Sequence, residues 1–224
     1  MKANIRIRLL TLATLGTLAV ASAACGGGGN GVPIVPGISS GTSSSTDSTT
    51  RPASGSSLSG KALVDALANG GFPGVHLSVS HSSGSTSVVN GPELSDQQLN
   101  AGVLSEVNVD LGGTDSKNSV AYDVFSTDAQ ASAWFGSFSL GMYGAYRIHG
   151  TSSATIDGKS AKCEQFADVS GGRNAGGTQC FARVGSVVVY GESIIFDTQS
   201  GSPADAQAML KAGIDNLATV EGQS

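Results

Sequence analysis

The sequence predicts an α+β domain: an antiparallel β-sheet (a meander) with about three helices packed on one face. Three observations carry that expectation. Segments such as VLSEVNVDL (103–111) alternate apolar and polar residues with the period of a half-buried strand. Two-residue turns, Asp157-Gly158 and Gly185-Ser186, join pairs of such segments into hairpins. Two stretches carry helix-start signals, Thr127-x-x-Gln130 and Ser202-Pro203.

Taken in order, KALVDALANGG (61–71) sets Leu63, Ala66 and Leu67 on one helical face and stops at Gly70-Gly71. VHLSVSH (75–81) alternates Val75, Leu77 and Val79 against polar residues, as a strand does. In VLSEVNVDL the inward positions are Val103, Val107, Val109 and Leu111, and SVAYDVF (119–125) follows across a Gly/Asp/Ser turn. The helix opened by Thr127 carries Ala131, Trp134, Phe135 and Phe138 on one buried face. LGMYGAYRIHG (140–150) is apolar but interrupted by glycine, and fits neither period. SSATI (152–156) and KSAKCEQFA (159–167) form one hairpin; TQCFARV (178–184) and VVVY (187–190) form another. The terminal helix has Ser202 as N-cap, Pro203 at its first position and Asp205 at its third, with Ala206, Met209, Leu210 and Leu217 inward. Asp-Ala-Gln-Ala occurs at 128–131 and again at 205–208, which raises an internal duplication of a strands-then-helix unit.

Ahead of this domain the chain reads as a leader and a tether. MKANIRIR is a basic n-region, and residues 9–21 form an apolar h-region of 13 residues. That run is short of the roughly 20 residues a membrane-crossing helix needs. Ala21-Ser22-Ala23 suits ordinary signal peptidase and a soluble secreted product. Ser22-Ala23-Ala24-Cys25 resembles a bacterial lipobox, with Ser22 where that family has Leu. The resemblance implies lipidation of Cys25 and a membrane partner reached through the lipid anchor. Gly, Ser, Thr and Pro supply 25 of the 34 residues from Gly26 to Ser59, a composition that cannot bury a core. A flexible tether of that length spans about 30 Å. The organisation expected is therefore a signal peptide at 1–24, a lipidated cysteine and tether at 25–59, and one α+β domain at 60–222.

Charge excludes one class of partner. The whole chain carries −5; Lys2, Arg6 and Arg8 lie in the leader, leaving 9 basic residues against 17 acidic ones, a net −8. Nucleic-acid binding needs the opposite sign.

With Cys25 acylated, Cys163 and Cys180 remain as an even pair on adjacent strands of one expected hairpin. Their midpoint falls in the SGGRNAGG loop, so symmetric pairing sets them opposite each other as a cross-strand disulfide; two buried free thiols are the alternative. No His or Cys stands at zinc-finger spacing, and neither a metal nor a cofactor is expected. His76, His81 and His149 read as solvated strand-end residues. Gly37-x-Ser39-x-Gly41 has the letters of a nucleophile elbow but lies in the tether, without the strand and helix that elbow requires. The Gly-rich loop at 171–177 lacks the Lys of a phosphate loop and leads into a strand. Glu93, Asp96, Glu106, Asp110, Asp123, Glu164 and Glu192 read as acids on solvated strand faces, with Glu106 and Asp110 able to share one face. Glycosidase chemistry would need two carboxyls facing a sugar cleft. For an apolar ligand or partner, the candidate contacts are Met142, Tyr143 and Tyr146.

Leader, cysteine, Gly/Ser tether and small α+β domain together resemble the exported lipoproteins of actinobacteria. The segments CFARVGSVVVYGES and ADAQAMLKAGIDNL are similar to the extracellular sensor-type domain of some mycobacterial membrane kinases. The resemblance implies a non-enzymatic binding or sensing module on the outer side of the cell membrane, with a small molecule, a lipid or an envelope protein as partner. A structural module docking an envelope membrane protein is the alternative, and a secreted hydrolase the third reading.

Overall fold

The computed structural model describes residues 58–77, 84–113, 116–168, 175–196 and 201–222. The leader, Cys25, the tether up to residue 57, the Gly37–Gly41 motif, His81 and Arg173 lie outside them. The described residues form α1 (Gly60–Asn69), β1 (Ser85–Asn90), α2 (Asp96–Ala101), β2 (Val103–Gly112), β3 (Ser116–Phe125), α3 (Asp128–Ser137), β4 (Tyr146–Ile156), β5 (Lys159–Asp168), β6 (Ala175–Val184), β7 (Val187–Phe196) and α4 (Pro203–Gly222). Short 3-10 turns occupy Gly91–Glu93 and Leu140–Tyr143.

The seven strands lie in one sheet in the order β1-β2-β3-β7-β6-β5-β4, every neighbouring pair antiparallel. Two meanders, β1–β2–β3 and β4–β5–β6–β7, are thus joined edge to edge through β3 and β7. The link from β3 to β4 carries α3 and the Leu140–Tyr143 turn across the sheet. The α+β class and the antiparallel hairpins follow the sequence expectation. In the β4–β5 turn, Asp157 (φ 47°) and Gly158 (φ 72°) take the left-handed conformations that a two-residue hairpin demands.

The helices, however, divide between the two faces of the sheet, which corrects their expected placement on one. One core joins α1 and α4 to Val107, Val109, Val120, Tyr122, Val187 and Val189. The other joins α3 and the Leu140 turn to Phe125, Phe166, Phe181, Val188 and Tyr190. The physical reason lies in β7, where Val187 to Tyr190 are consecutive and all buried: neighbours on a strand point to opposite faces, so both faces must be covered. The shared tetrapeptide is no sign of a duplicated unit. Asp128 is the first residue of α3 whereas Asp205 is the third of α4, and the two helices sit on opposite faces.

α4 starts as expected, the Asp205 amide donating to Ser202 Oγ at 3.1 Å. It approaches β7 closely at Gly191, where a Cβ would stand 2.2 Å from Leu210 N. α3 is capped at its start by Thr127, which accepts from the Gln130 amide, and at its end by Lys162, whose Nζ donates to the carbonyls of Phe135 and Gly136. The strand expected at 75–81 is absent among residues 75–77. Val75 and Leu77 lean on the α1/α4 core while His76 faces solvent, so alternation arises there from packing rather than pairing. Among the described residues the first strand is β1, and α2 departs from the sequence expectation. Cys163 and Cys180 are opposite each other in the β5–β6 register and are joined as a disulfide. No described helix is long and apolar enough to cross a membrane.

Candidate functional site

The face covered by α2, α3 and the Leu140 turn holds the polar groups of interest. Strand alternation sends Glu106, Asn108 and Asp110 of β2, Lys117, Ser119, Ala121 and Asp123 of β3, and Tyr190 and Glu192 of β7 to this face. Registers align them in cross-strand rows: Glu106 beside Asp123, Asn108 beside Ala121 and Tyr190, and Asp110 beside Ser119, Glu192, Gln179 and Glu164. Ala121, the smallest of them, stands at the centre.

Asp123 is 2% exposed and lies between apolar neighbours near the end of β3. Its Oδ2 accepts from the Tyr190 hydroxyl (2.7 Å) and the Trp134 indole N–H (3.1 Å), and its Oδ1 accepts from Gln98 Nε2 (2.9 Å). The indole N–H also donates to the Tyr190 oxygen, at 2.6 Å. Gln98 Nε2 bridges to the Glu106 carboxylate as well, and Asn108 Nδ2 supports Glu106 from the other side. Burial, and next the Glu106 charge, push the Asp123 carboxyl up to about 7; the three hydrogen bonds oppose that rise. No described Lys, Arg or His bonds to Asp123 or Glu106.

Gln98 is held by a capping box. The Gln98 amide donates to Ser95 Oγ, and Gln98 Oε1 accepts from the Ser95 amide and hydroxyl. Cap and site are thus one network, and α2 brings the glutamine to the two acids. Glu164 plays a parallel role: it accepts from the Leu140 amide at 2.8 Å and fixes the turn that carries Met142 and Tyr143.

Tyr143 is half-buried, hydrogen-bonded to Ser95, and within electrostatic reach of Asp123, Glu106 and Tyr146. Tyr146 packs edge-on against Phe166, ring centroids 5.0 Å apart, within electrostatic reach of Glu192 and Asp168. Burial raises the hydroxyl pKa of Tyr143, Tyr146 and Tyr190 above the ordinary phenol value. Glu192 accepts from Gln179 Nε2 (3.3 Å) and Ser119 Oγ (3.4 Å); burial raises its pKa and the nearby Lys117 opposes the rise. Lys117 pairs with Asp110 at 3.2 Å.

Of the three residues expected to contact a ligand, Tyr143 and Tyr146 flank this polar face and Met142 is 37% exposed on the turn beside them. The acids divide. Glu93 and Asp96 are exposed, but Asp123 and Glu164 are buried, which corrects their reading as solvated. His76 and His149 are exposed. Gln98, Tyr190 and Trp134 were missed as site residues. The Ser95-x-x-Gln98 spacing held the same capping signal as Thr127-x-x-Gln130, and Asp123 betrayed itself as an acid inside an apolar run.

Fold and site define a two-faced antiparallel α+β domain with a tyrosine–carboxylate face. No family model matches the chain, and no curated protein matches it. Among solved structures, the extracellular domain of PknH from Mycobacterium tuberculosis is similar with TM-score 0.40 and 10% identity, over 72% of this chain and 92% of that one. A protein of unknown function from Pseudomonas aeruginosa, PA94, a putative regulator by its description, is similar with TM-score 0.25 and 16% identity, over 55% of this chain and 73% of that one. Neither likeness transfers a function to this chain.

Proposed function

We propose that the chain is a non-enzymatic binding or sensing module held outside the cell membrane by a lipid on Cys25, and that its ligand seats on the tyrosine–carboxylate face. The carrying observation is the Asp123–Glu106 pair, two acids bridged by one glutamine amide and lacking a bonded cation. Buried charges in folded proteins are paired or neutralised. The oxygens of Asp123 are occupied by Tyr190, Trp134 and Gln98, which favours a rigid recognition surface over a free general base. The lipobox-like Ser22–Cys25 and the tether support the anchored location.

Intact mass spectrometry of the full chain recovered from an exporting bacterial host tests both halves. The expected product starts at Cys25 with acyl mass and, under native conditions, retains a small molecule that Tyr146→Ala loses. A product starting at Ala24 without acyl mass overturns the anchor. Absence of any retained molecule, with no stabilisation by a metabolite panel, overturns the binding reading.

A further inference from the structure

The Glu192–Gln179 row specifies what kind of ligand fits, an inference that rests on the binding reading above. We propose that this face binds an organic ammonium or guanidinium ion, seated between the tyrosine rings and the Glu192–Gln179 row.

Five carboxyl groups, Glu106, Asp110, Asp123, Glu164 and Glu192, share this face. Of its cations, Lys162 is bonded to the α3 carbonyls and Arg183 to the Gly185 carbonyl. That leaves Lys117, bonded to Asp110 at 3.2 Å and acting on Glu192 through its charge. Glu192 is left with two bonds at the long limit of hydrogen-bond geometry, 3.3 and 3.4 Å. Beside it Gln179 is 9% exposed; its Nε2 points to Glu192, and its Oε1 has no protein partner within hydrogen-bond distance. The groups awaiting a partner are therefore acceptors, and a matching ligand supplies N–H donors and positive charge together. Anions are repelled by these carboxyls. A neutral sugar brings donors without charge. A bare metal ion is disfavoured because no group of three or more ligating side chains stands together among the described residues.

The tyrosines complete the match. Tyr146 packs edge-on against Phe166 within electrostatic reach of Glu192, while Tyr143 lies within electrostatic reach of Asp123 and Glu106. Phenol rings attract cations through their negative faces, and aromatic rings combined with carboxylates are how proteins hold organic ammonium groups. The two acid pairs, two rows apart with the Ala121 row between them, suit a ligand with two cationic ends better than one with a single charge.

Isothermal titration of the full chain with four probes tests this: 1,4-diaminobutane, tetramethylammonium, glucose and acetate. Diaminobutane is expected to bind with the highest affinity. Tetramethylammonium, which has charge but no N–H, binds more weakly, and glucose and acetate give no heat. Glu192→Gln weakens diaminobutane by about tenfold or more, as loss of a desolvated charge partner does. Lys117→Met, at a side chain 36% exposed and outside the cores, removes the competing cation and tightens binding severalfold. Glucose binding with diaminobutane silent overturns the cation inference and leaves the binding reading standing, as does an unchanged or weakened affinity in Lys117→Met. Silence of all four probes, while a retained molecule is still lost in Tyr146→Ala, also overturns the cation inference alone.

Discussion

Asp123→Asn converts the acid at the heart of the site into a group that cannot ionise, and the structure sets both sign and size of the consequence. In the folded chain the Asp123 carboxyl is raised from 3.8 to about 7, by burial first and the Glu106 charge second. The native state therefore keeps a proton that the unfolded chain has released above about pH 4. A carboxyl raised in this way contributes stability that is complete below the unfolded pKa and is lost as pH climbs through the folded one. Three units at 1.36 kcal/mol each set a ceiling of about 4 kcal/mol. Sharing of protons between Asp123 and Glu106 lowers the realised value, so a loss of about 1–4 kcal/mol is expected between about pH 4 and 7. Glu192, also raised by burial, acts in the same direction. Urea unfolding of wild type and Asp123→Asn across pH 4–8 measures it. The wild type should lose stability relative to the variant as pH rises, with the difference levelling off at the acid end. Parallel curves, or a wild type that gains on the variant with pH, would refute the burial argument.

Further predictions concern the frame around the site. Reducing the Cys163–Cys180 disulfide, which spans 17 residues, should cost about 3 kcal/mol by the loop-entropy relation and lower Tm by about 6–12 °C in calorimetry. Gly191→Ala drives a Cβ to 2.2 Å from Leu210 N and 2.4 Å from Ala206 O, so it should cost about 2–3 kcal/mol or more in urea; Gly222→Ala, with open space around it, should cost nothing. On the opposite face, Asn118, Ser193 and Thr178 are cross-strand neighbours, all buried and with unpartnered side-chain atoms. Asn118→Leu should therefore leave stability unchanged or raise it by about 1–3 kcal/mol, and a marked loss would mean that the amide is satisfied.

What could be read in advance was local. The Thr127 and Ser202 caps, the Asp157-Gly158 turn and the opposed cysteines depend on residues within a few positions of one another, where backbone geometry leaves few choices. The site is built otherwise. Gln98 reaches Asp123 across 25 residues, Trp134 reaches Tyr190 across 56, and no short spacing encodes either contact. The two-sided sheet was written in the run Val187 to Tyr190, since four consecutive apolar residues leave no face for water. With both faces covered, Asp123 in SVAYDVF had to be buried whichever way it pointed. At Val75 to Leu77 the alternation arises because a segment laid on a core alternates as a paired strand does.

The central claim is that the tyrosine–carboxylate face is the working surface, and amide chemical-shift mapping during a titration with 1,4-diaminobutane tests it most directly. Shifts should cluster at residues 95–108, 117–123, 143–146 and 190–192 and vanish in Glu192→Gln. Shifts confined to α1 and α4, on the other side of the sheet, would contradict the account.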